Sequence, residues 1–324
     1  MENKSSAIEL MNEFGRKKIP FLFIIDFEIK YPIVIKLSEV DPNKILFKVN
    51  QNKNYESQGR LEKELVFKKF PVAYKQYLKA FNLVMNNIKS GNTYLCNLTF
   101  PTRIETNYNL KELFDIGEAK YKLYYNDQFI VFSPECFVRI ENGRIYSFPM
   151  KGTIDASIAD AREKILSDEK ELAEHITIVD LIRNDLSIVA TNVVVEDFRY
   201  IEEIATNQKN LLQVSSKISG VLPDDYHSKI GDIIFSLLPA GSISGAPKKK
   251  TVEIIKEAET YQRGYYTGIF GIFDGLTLDS AVMIRFVEKV GNQYYFKSGG
   301  GITFMSDPES EYRELIDKVY VPII

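Results

Sequence analysis

The stretch Phe129-Ile-Val-Phe-Ser-Pro-Glu-Cys-Phe-Val-Arg-Ile140, then Glu141-Asn142-Gly143-Arg144, then Ile145-Tyr-Ser-Phe-Pro-Met-Lys-Gly152, constrains the fold more than any other. Asn-Gly between two β-type runs is a strong signal for a two-residue hairpin, because both turn positions need positive φ. The register then sets Glu141 against Arg144 and Glu135 against Met150, with Lys151 one step beyond. Strict alternation would put Glu135 and Lys151 on opposite faces, so a bulge or a strand end must intervene if both line one site. A second strand cluster follows the same logic: TGIFGIF, a turn at Asp274-Gly275, LTLDSAVMIRFVEKV, a turn at Gly291-Asn292, and QYYFKSGGG read as an antiparallel meander. PFLFIIDF and PIVIKL read as strands near the start, before a lysine-rich polar stretch around 48–69.

Helices are predicted between these clusters. Residues 76–90 carry Leu78, Phe81, Leu83, Val84 and Ile88 at helical spacing, and Gly91-Asn92 stops them before the strand YLCNLTF. Residues 157–185 form a second helical region, with Leu172, Ile176 and Val179 on one stripe. Pro247 opens a helix over 246–260, and a last one runs from about Ser310 to Val319. Clustered hairpins with helices set between them indicate an α+β chain: a layered antiparallel β-sheet core flanked by helices. Nothing divides 75–324, so residues 1–324 are expected to form one domain, with 1–75 a short N-terminal part and 76–324 the catalytic core.

Composition narrows the function. Over 324 residues, 45% are apolar and the net charge is -3, which supports a sizeable core and gives no basic excess for nucleic acid. No apolar run is long enough to span a membrane, and MENKSSAIELMNEF lacks the pattern of a signal peptide. The expectation is a cytoplasmic protein in which Cys96 and Cys136 are buried, reduced thiols.

Two helices carry carboxylate pairs at i, i+3: Glu171 with Glu174 and Glu311 with Glu314. Each pair shares a helical face. Brought together, such faces could hold a hard divalent cation, Mg²⁺ beside an anionic substrate; alone, each is more often a solvated face, and Glu314 with Lys318 is an ordinary i, i+4 ion pair. LLPAGSISGAPKKK runs a small-residue turn into a helix whose backbone N–H groups favour an anion, without the order of a Walker loop. Ser298-Gly299-Gly300-Gly301 suggests backbone passing close to a ligand, or a tight turn. Arg285, within an apolar strand, needs an acidic partner or an anionic ligand unless one face is wet. His175 is a candidate base, though a satisfied helix histidine is the commoner outcome.

In combination these stretches resemble the chorismate-utilising enzymes. The resemblance covers about residue 76 to the C-terminus and rests on SPE (133–135), PMKGT (149–153), ELAEHITIVDLIRND (171–185), LPAGSISGAPK (238–248), YTGIFG (266–271), LDSAVMIR (278–285), SGGGI (298–302) and ESEYRE (309–314), in the family's order. It implies chorismate and Mg²⁺ in a central cleft. Glu174 and Glu314 match metal-binding glutamates, with Glu171 and Glu311 beside them. Tyr266, Arg285, Gly299 and Gly301 match positions that hold substrate carboxylates, with Gly300 between the glycines, and Ser242 and Gly245 match the substrate-side turn.

Lys151 chooses among the members. Anthranilate and salicylate synthases look like Pro-x-Ala-Gly-Thr here, whereas aminodeoxychorismate synthase has lysine. The implied activity is amination of chorismate at C4, with Lys151 as nucleophile and Glu135 as general acid. A glutamine amidotransferase partner would supply the ammonia, since no glutaminase motif is present. Lys151 must be neutral to attack; burial and Mg²⁺ favour that form, and Glu135 is expected to oppose it. Anthranilate synthase and a non-catalytic chorismate-binding subunit are the alternatives. Leu95 stands where water-using members resemble one another in a lysine base, and Gln213 stands where a histidine is common; no tryptophan-binding element is recognisable.

Overall fold

A computed structural model describes residues 3–56, 63–205 and 210–323. Two nine-stranded sheets form its centre, and every pairing among the described residues is antiparallel. The first sheet runs from the edge strand Thr191–Ala205 through Asn210–Val221, Arg144–Ser147, Cys136–Glu141, Leu278–Val282, Ile269–Phe273 and Phe21–Ile25 to Ile33–Lys36. Met150–Asp155 continues the line of Arg144–Ser147 along Asn210–Val221. In the second sheet Leu95–Thr106 lies beside Gln293–Ile302, then Phe286–Val290, Phe129–Ser133, Tyr121–Tyr125, Ile45–Val49 and Asn52–Lys53.

Fully apolar strands are buried on both faces, as in Phe21–Ile25. Phe21, Phe23 and Ile25 enter a core shared with the helices, while Leu22 and Ile24 enter the core between the sheets with Phe47, Val131, Phe270 and Phe286. A third cluster packs Phe114, Phe132 and Phe296 on the far side of the second sheet. The order is therefore helices, sheet, sheet, helix, the layered α+β arrangement that the hairpin clusters imply.

The Asn142-Gly143 hairpin forms in the expected register, Arg144 against Glu141, with both turn residues at positive φ. Two apolar runs behave differently from the sequence reading. Phe129–Ser133 belongs to the second sheet, yet after Pro134-Glu135 the chain continues as Cys136–Glu141 in the first. LTLDSAVMIRFVEKV likewise splits into Leu278–Val282 in the first sheet and Phe286–Val290 in the second. The expected meander is thus two hairpins in two sheets. Residues 1–75 are woven into both sheets, with Phe21–Ile25 on Ile269–Phe273, Ile45–Val49 on Tyr121–Tyr125 and Phe67–Phe70 on Leu95–Thr106.

Helix Tyr74–Lys89 buries Phe81, Val84 and Ile88 as its spacing requires. The 157–185 region breaks at Asp168 into Ala161–Ser167 and Glu169–Leu186, because the Asp168 carboxylate caps the second helix by accepting from Glu171 N at 2.9 Å. Val179 is buried there, but Ile176 is 45% exposed and faces away from the stripe assigned to it. Helix Lys248–Ala258 follows Pro247, and Pro308–Asp317 is the last. Both cysteines are buried and free. Among the described residues no helix is long and apolar enough to cross a membrane.

Against the strand Leu95–Thr106 lies a buried ion pair. Arg263 Nε and an NH2 donate to the two oxygens of Glu259 at 2.9 and 2.7 Å, and the guanidinium also donates to Ile243 O and Asn97 O. Glu259 in turn accepts from Thr99 N and Oγ1. With its donors satisfied, the pair ties three chain segments together; removing one partner would leave a buried charge uncompensated. Arg263→Met is therefore expected to destabilise the fold by about 3–5 kcal/mol, with a smaller loss in the Arg263→Met/Glu259→Leu double variant. Chemical denaturation of the three proteins measures this.

Candidate active site

The two sheet crossings lie side by side. Phe132 N donates to Arg285 O at 3.2 Å and Val282 N donates to Glu135 O at 3.2 Å. Glu135 and Arg285, 150 positions apart, are thereby fixed at one place, Arg285 at φ 52. They open onto a cleft whose wall includes Lys151, Glu174, Ser242, Tyr266, Gly299–Gly301 and Lys318.

Lys151 reaches the cleft through a β-bulge. Met150 pairs with Ser215 and Thr153 with Gln213, so Lys151 and Gly152 together face the single residue Val214. Gly152 takes φ +83. The extra residue breaks alternation and lets Lys151 share a cleft with Glu135. The hairpin pairing itself ends before Met150, which pairs with Ser215 instead of Glu135.

The two side chains have separate partners. Glu135 accepts from Ser242 Oγ at 2.5 Å. Burial pushes its carboxyl above the usual carboxylate range, against the pull of Ser242 and the Lys318 charge. Lys151 Nζ lies 2.5 Å from Glu174 Oε2. Burial alone would lower the lysine, but Glu174, then Glu171 and Glu314, outweigh it and hold the ammonium above its ordinary range. The group that keeps Lys151 charged is therefore Glu174, where the sequence suggested Glu135.

The anion-binding positions are distributed around this pair. Arg285 donates to Lys318 O at 2.9 Å and stacks over Tyr320, so no carboxylate neutralises it in these contacts. Lys318 bonds Glu314 at 2.6 Å, as its spacing predicts, and also donates to Gly299 O while lining the cleft. Sequence reasoning missed that second role, because the i, i+4 pair accounted for the residue. Tyr266 is almost fully buried at the cleft wall. Gly299 and Gly301 leave room where side chains would strike Thr99 and Leu95.

Gly245 is not at the cleft. At φ +123 it pairs with Cys96, and a Cβ there would lie 1.9 Å from Leu95 O. Its absence of a side chain serves strand contact. The following helix starts outside the cleft wall, where Lys248 pairs with Asp185 at 2.9 Å. His175 is buried, bonded through Nε2 to Ser216 Oγ at 2.7 Å, and pulled down to about 4 by burial and then by Arg199 and Lys151. Its Nδ1 is buried with no hydrogen-bond partner among the described residues, and the ring lies outside the cleft wall. Gln213 sits in the Asn210–Val221 strand, also outside that wall, whereas Leu95 lies in it.

Three of the four glutamates lie beside glycines. A Cβ on Gly300 would lie 3.2 Å from Glu311 Oε2 and 3.8 Å from Glu314 Oε1, and one on Gly152 would lie 3.1 Å from Glu171 Oε2. Glu311 also accepts from Ser306 Oγ. Carboxylate oxygens are the donor type that a hard divalent cation takes. Among the described residues, however, no three acidic, histidine or cysteine groups converge as a ligand set, and Glu174 and Glu314 are bridged by lysines.

Comparison with known proteins gives the family. The family model for chorismate binding enzymes matches residues 36–323. The chain belongs to the chorismate binding enzyme family. Within it, an uncharacterized PabA-like protein of Pasteurella multocida (strain Pm70) is 50% identical over 98% of both chains. Anthranilate synthase component 1 of Acetivibrio thermocellus is 36% identical over 71% of this chain and 49% of its own length. Aminodeoxychorismate synthase component 1 of Bacillus subtilis (strain 168) is 31% identical over 77% and 55%. This member of the family thus spans about half the length of those two synthases. A 2,3-dihydroxybenzoate-specific isochorismate synthase from Bacillus anthracis shares the fold, with a TM-score of 0.73 at 20% identity over 98% of this chain and 88% of that one.

Gly245→Ala is expected to lower stability by roughly 2–4 kcal/mol while the folded fraction keeps its affinity for chorismate. Thermal melting and equilibrium binding of the one variant separate the two effects.

Proposed function

We propose that the chain is the large subunit of an aminodeoxychorismate synthase, converting chorismate and ammonia to 4-amino-4-deoxychorismate for p-aminobenzoate and folate synthesis. The observation that carries this reading is the bulge, which puts Lys151 in the same cleft as Glu135. Replacing the C4 hydroxyl by an amine with retained configuration divides into two allylic displacements. Neutral Lys151 Nζ attacks C2 while the hydroxyl leaves from C4. Glu135, protonated, gives that oxygen its proton and is left as carboxylate, so water leaves and a positively charged secondary amine links Lys151 to C2. Ammonia then bonds to C4, the C2–N bond breaks, its electron pair returns to Lys151, and the product amine carries the charge.

The chain's own groups supply the remaining requirements. Arg285, Lys318 and Tyr266 would receive the substrate carboxylates, and Ser242 orients Glu135. The burial that raises Glu135 keeps it a proton donor at higher pH than an ordinary carboxylic acid. The Lys151–Glu174 pair describes a resting state from which the amine must be released and deprotonated. Glu171, Glu174, Glu311 and Glu314 would hold Mg²⁺, which supplies charge neutralisation for a substrate carboxylate. The ammonia would come from a separate glutamine amidotransferase subunit. Net charge -3 gives no support to a nucleic-acid partner.

A second reading, anthranilate synthase, is favoured by the 36% identity to that enzyme. The products decide. Purified protein with chorismate, Mg²⁺ and an ammonium salt is expected to yield p-aminobenzoate once a lyase is added, and anthranilate as main product would overturn the assignment. Glu135→Gln is expected to lower kcat by about 10²–10⁴ and to abolish the fall in rate as pH rises through the raised Glu135 value. Lys151→Ala is expected to lose amination, and mass spectrometry of the wild type to detect a chorismate-sized adduct on Lys151.

A further inference from the structure

The strand Leu95–Thr106 alternates. Cys96, Leu98 and Phe100 enter the helix-side core, so Leu95, Asn97 and Thr99 face the space between the sheets. Asn97 pairs with Gly301 and Thr99 with Gly299, so no neighbouring side chain covers Asn97 from the adjacent strand. Asn97 lines the cleft, and its side-chain Oδ1 is buried with no hydrogen-bond partner among the described residues. Other polar groups of that wall have one: Glu135 has Ser242, Lys151 has Glu174, Lys318 has Gly299 O and Arg285 has Lys318 O. The Asn97 backbone is clamped, since its carbonyl accepts from Arg263 at 2.6 Å. A desolvated acceptor carried by an anchored strand at a cleft wall is complementary to a donor on a ligand.

Donors are scarce in the reaction. Chorismate carries two carboxylates, an enol ether and a single hydroxyl, whereas ammonia carries three N–H groups. Leu95, next on the same strand face, is apolar and offers no base to activate water. We infer that the Asn97 carboxamide oxygen is the docking point for ammonia, and so a residue that selects the nucleophile. Ammonia donating one N–H to Oδ1 keeps its lone pair free for C4; the bonds made and broken are those given above. This inference rests on the amination reading.

The test measures steady-state amination by Asn97→Leu and Asn97→Ser at saturating chorismate with varied ammonium at fixed pH, then at saturating ammonium with varied chorismate. Asn97→Leu is expected to raise the KM for ammonia about tenfold and leave the KM for chorismate within about twofold. Asn97→Ser, smaller and still polar, keeps the fold if the leucine variant does not, as checked by thermal melting, and is expected to shift the same constant in the same direction. An unchanged KM for ammonia in both variants would overturn the inference while wild-type amination stands. A rise confined to the KM for chorismate would overturn it too, by giving Oδ1 to the C4 hydroxyl. Absence of aminated product from the wild type would remove the amination reading and this inference together.

Discussion

The site depends on two backbone hydrogen bonds, Phe132 N to Arg285 O and Val282 N to Glu135 O. They hold two strands together at the point where both leave one sheet for the other. A sheet edge cannot be left unpaired in a core, so each strand that crosses takes its partner with it. Glu135 and Arg285 are the residues at that crossing, released from alternation and turned to the cleft. The second sheet then brings Gly299–Gly301 and Asn97 to the same opening, and the first brings Lys151.

Charge is balanced in a particular way around this opening. Basic groups outnumber the carboxylates that lie directly in the wall: Lys151, Arg285, Lys297 and Lys318 against Glu135 and Glu174. Glu135 is kept from ionising easily by burial. Such a wall suits a ligand with more than one negative charge, and the carboxylates beside Gly152 and Gly300 limit the excess. The buried Arg263–Glu259 pair stays out of this balance, because each charge is neutralised by the other and by surrounding polar groups. Its part is to fix the strand that carries Asn97.

Much of this was legible in the chain because local chemistry fixed it. Asn142-Gly143 needs positive φ at two positions, and few arrangements other than a tight hairpin supply that. The apolar spacing of Tyr74–Lys89 leaves one possible face for the core. The crossings were not legible, since the run from Leu278 to Val290 reads as one strand, yet Leu278–Val282 lies in one sheet and Phe286–Val290 in the other. The hairpin Thr191–Ala205 with Asn210–Val221 carried no turn signal that the sequence reading used. Ile176 sits at a helical position that the stripe would bury, yet the helix turns it outward. At the site, the glycines of SGGGI were expected beside a ligand and do line the cleft, whereas of the four glutamates only Glu174 is in its wall. The partner of Lys151, the second role of Lys318 and the orphan oxygen of Asn97 are products of long-range packing. Gly245 was misread for an instructive reason: a glycine that admits a backbone and one that admits a ligand look the same in sequence.

The bulge at Lys151-Gly152 bears on how such a residue is acquired. Changing a neighbouring codon to lysine on a regular strand would place the amine one step out of phase, on the face away from the cleft. Here the nucleophile and the surplus residue form one unit, with glycine supplying the backbone angle that the surplus requires. Deleting any single residue between Met150 and Thr153 would restore regular alternation and reverse the facing of what remains. Insertions and deletions in this strand, more than point substitutions, are the changes by which a lineage would gain or lose a reacting amine at this position.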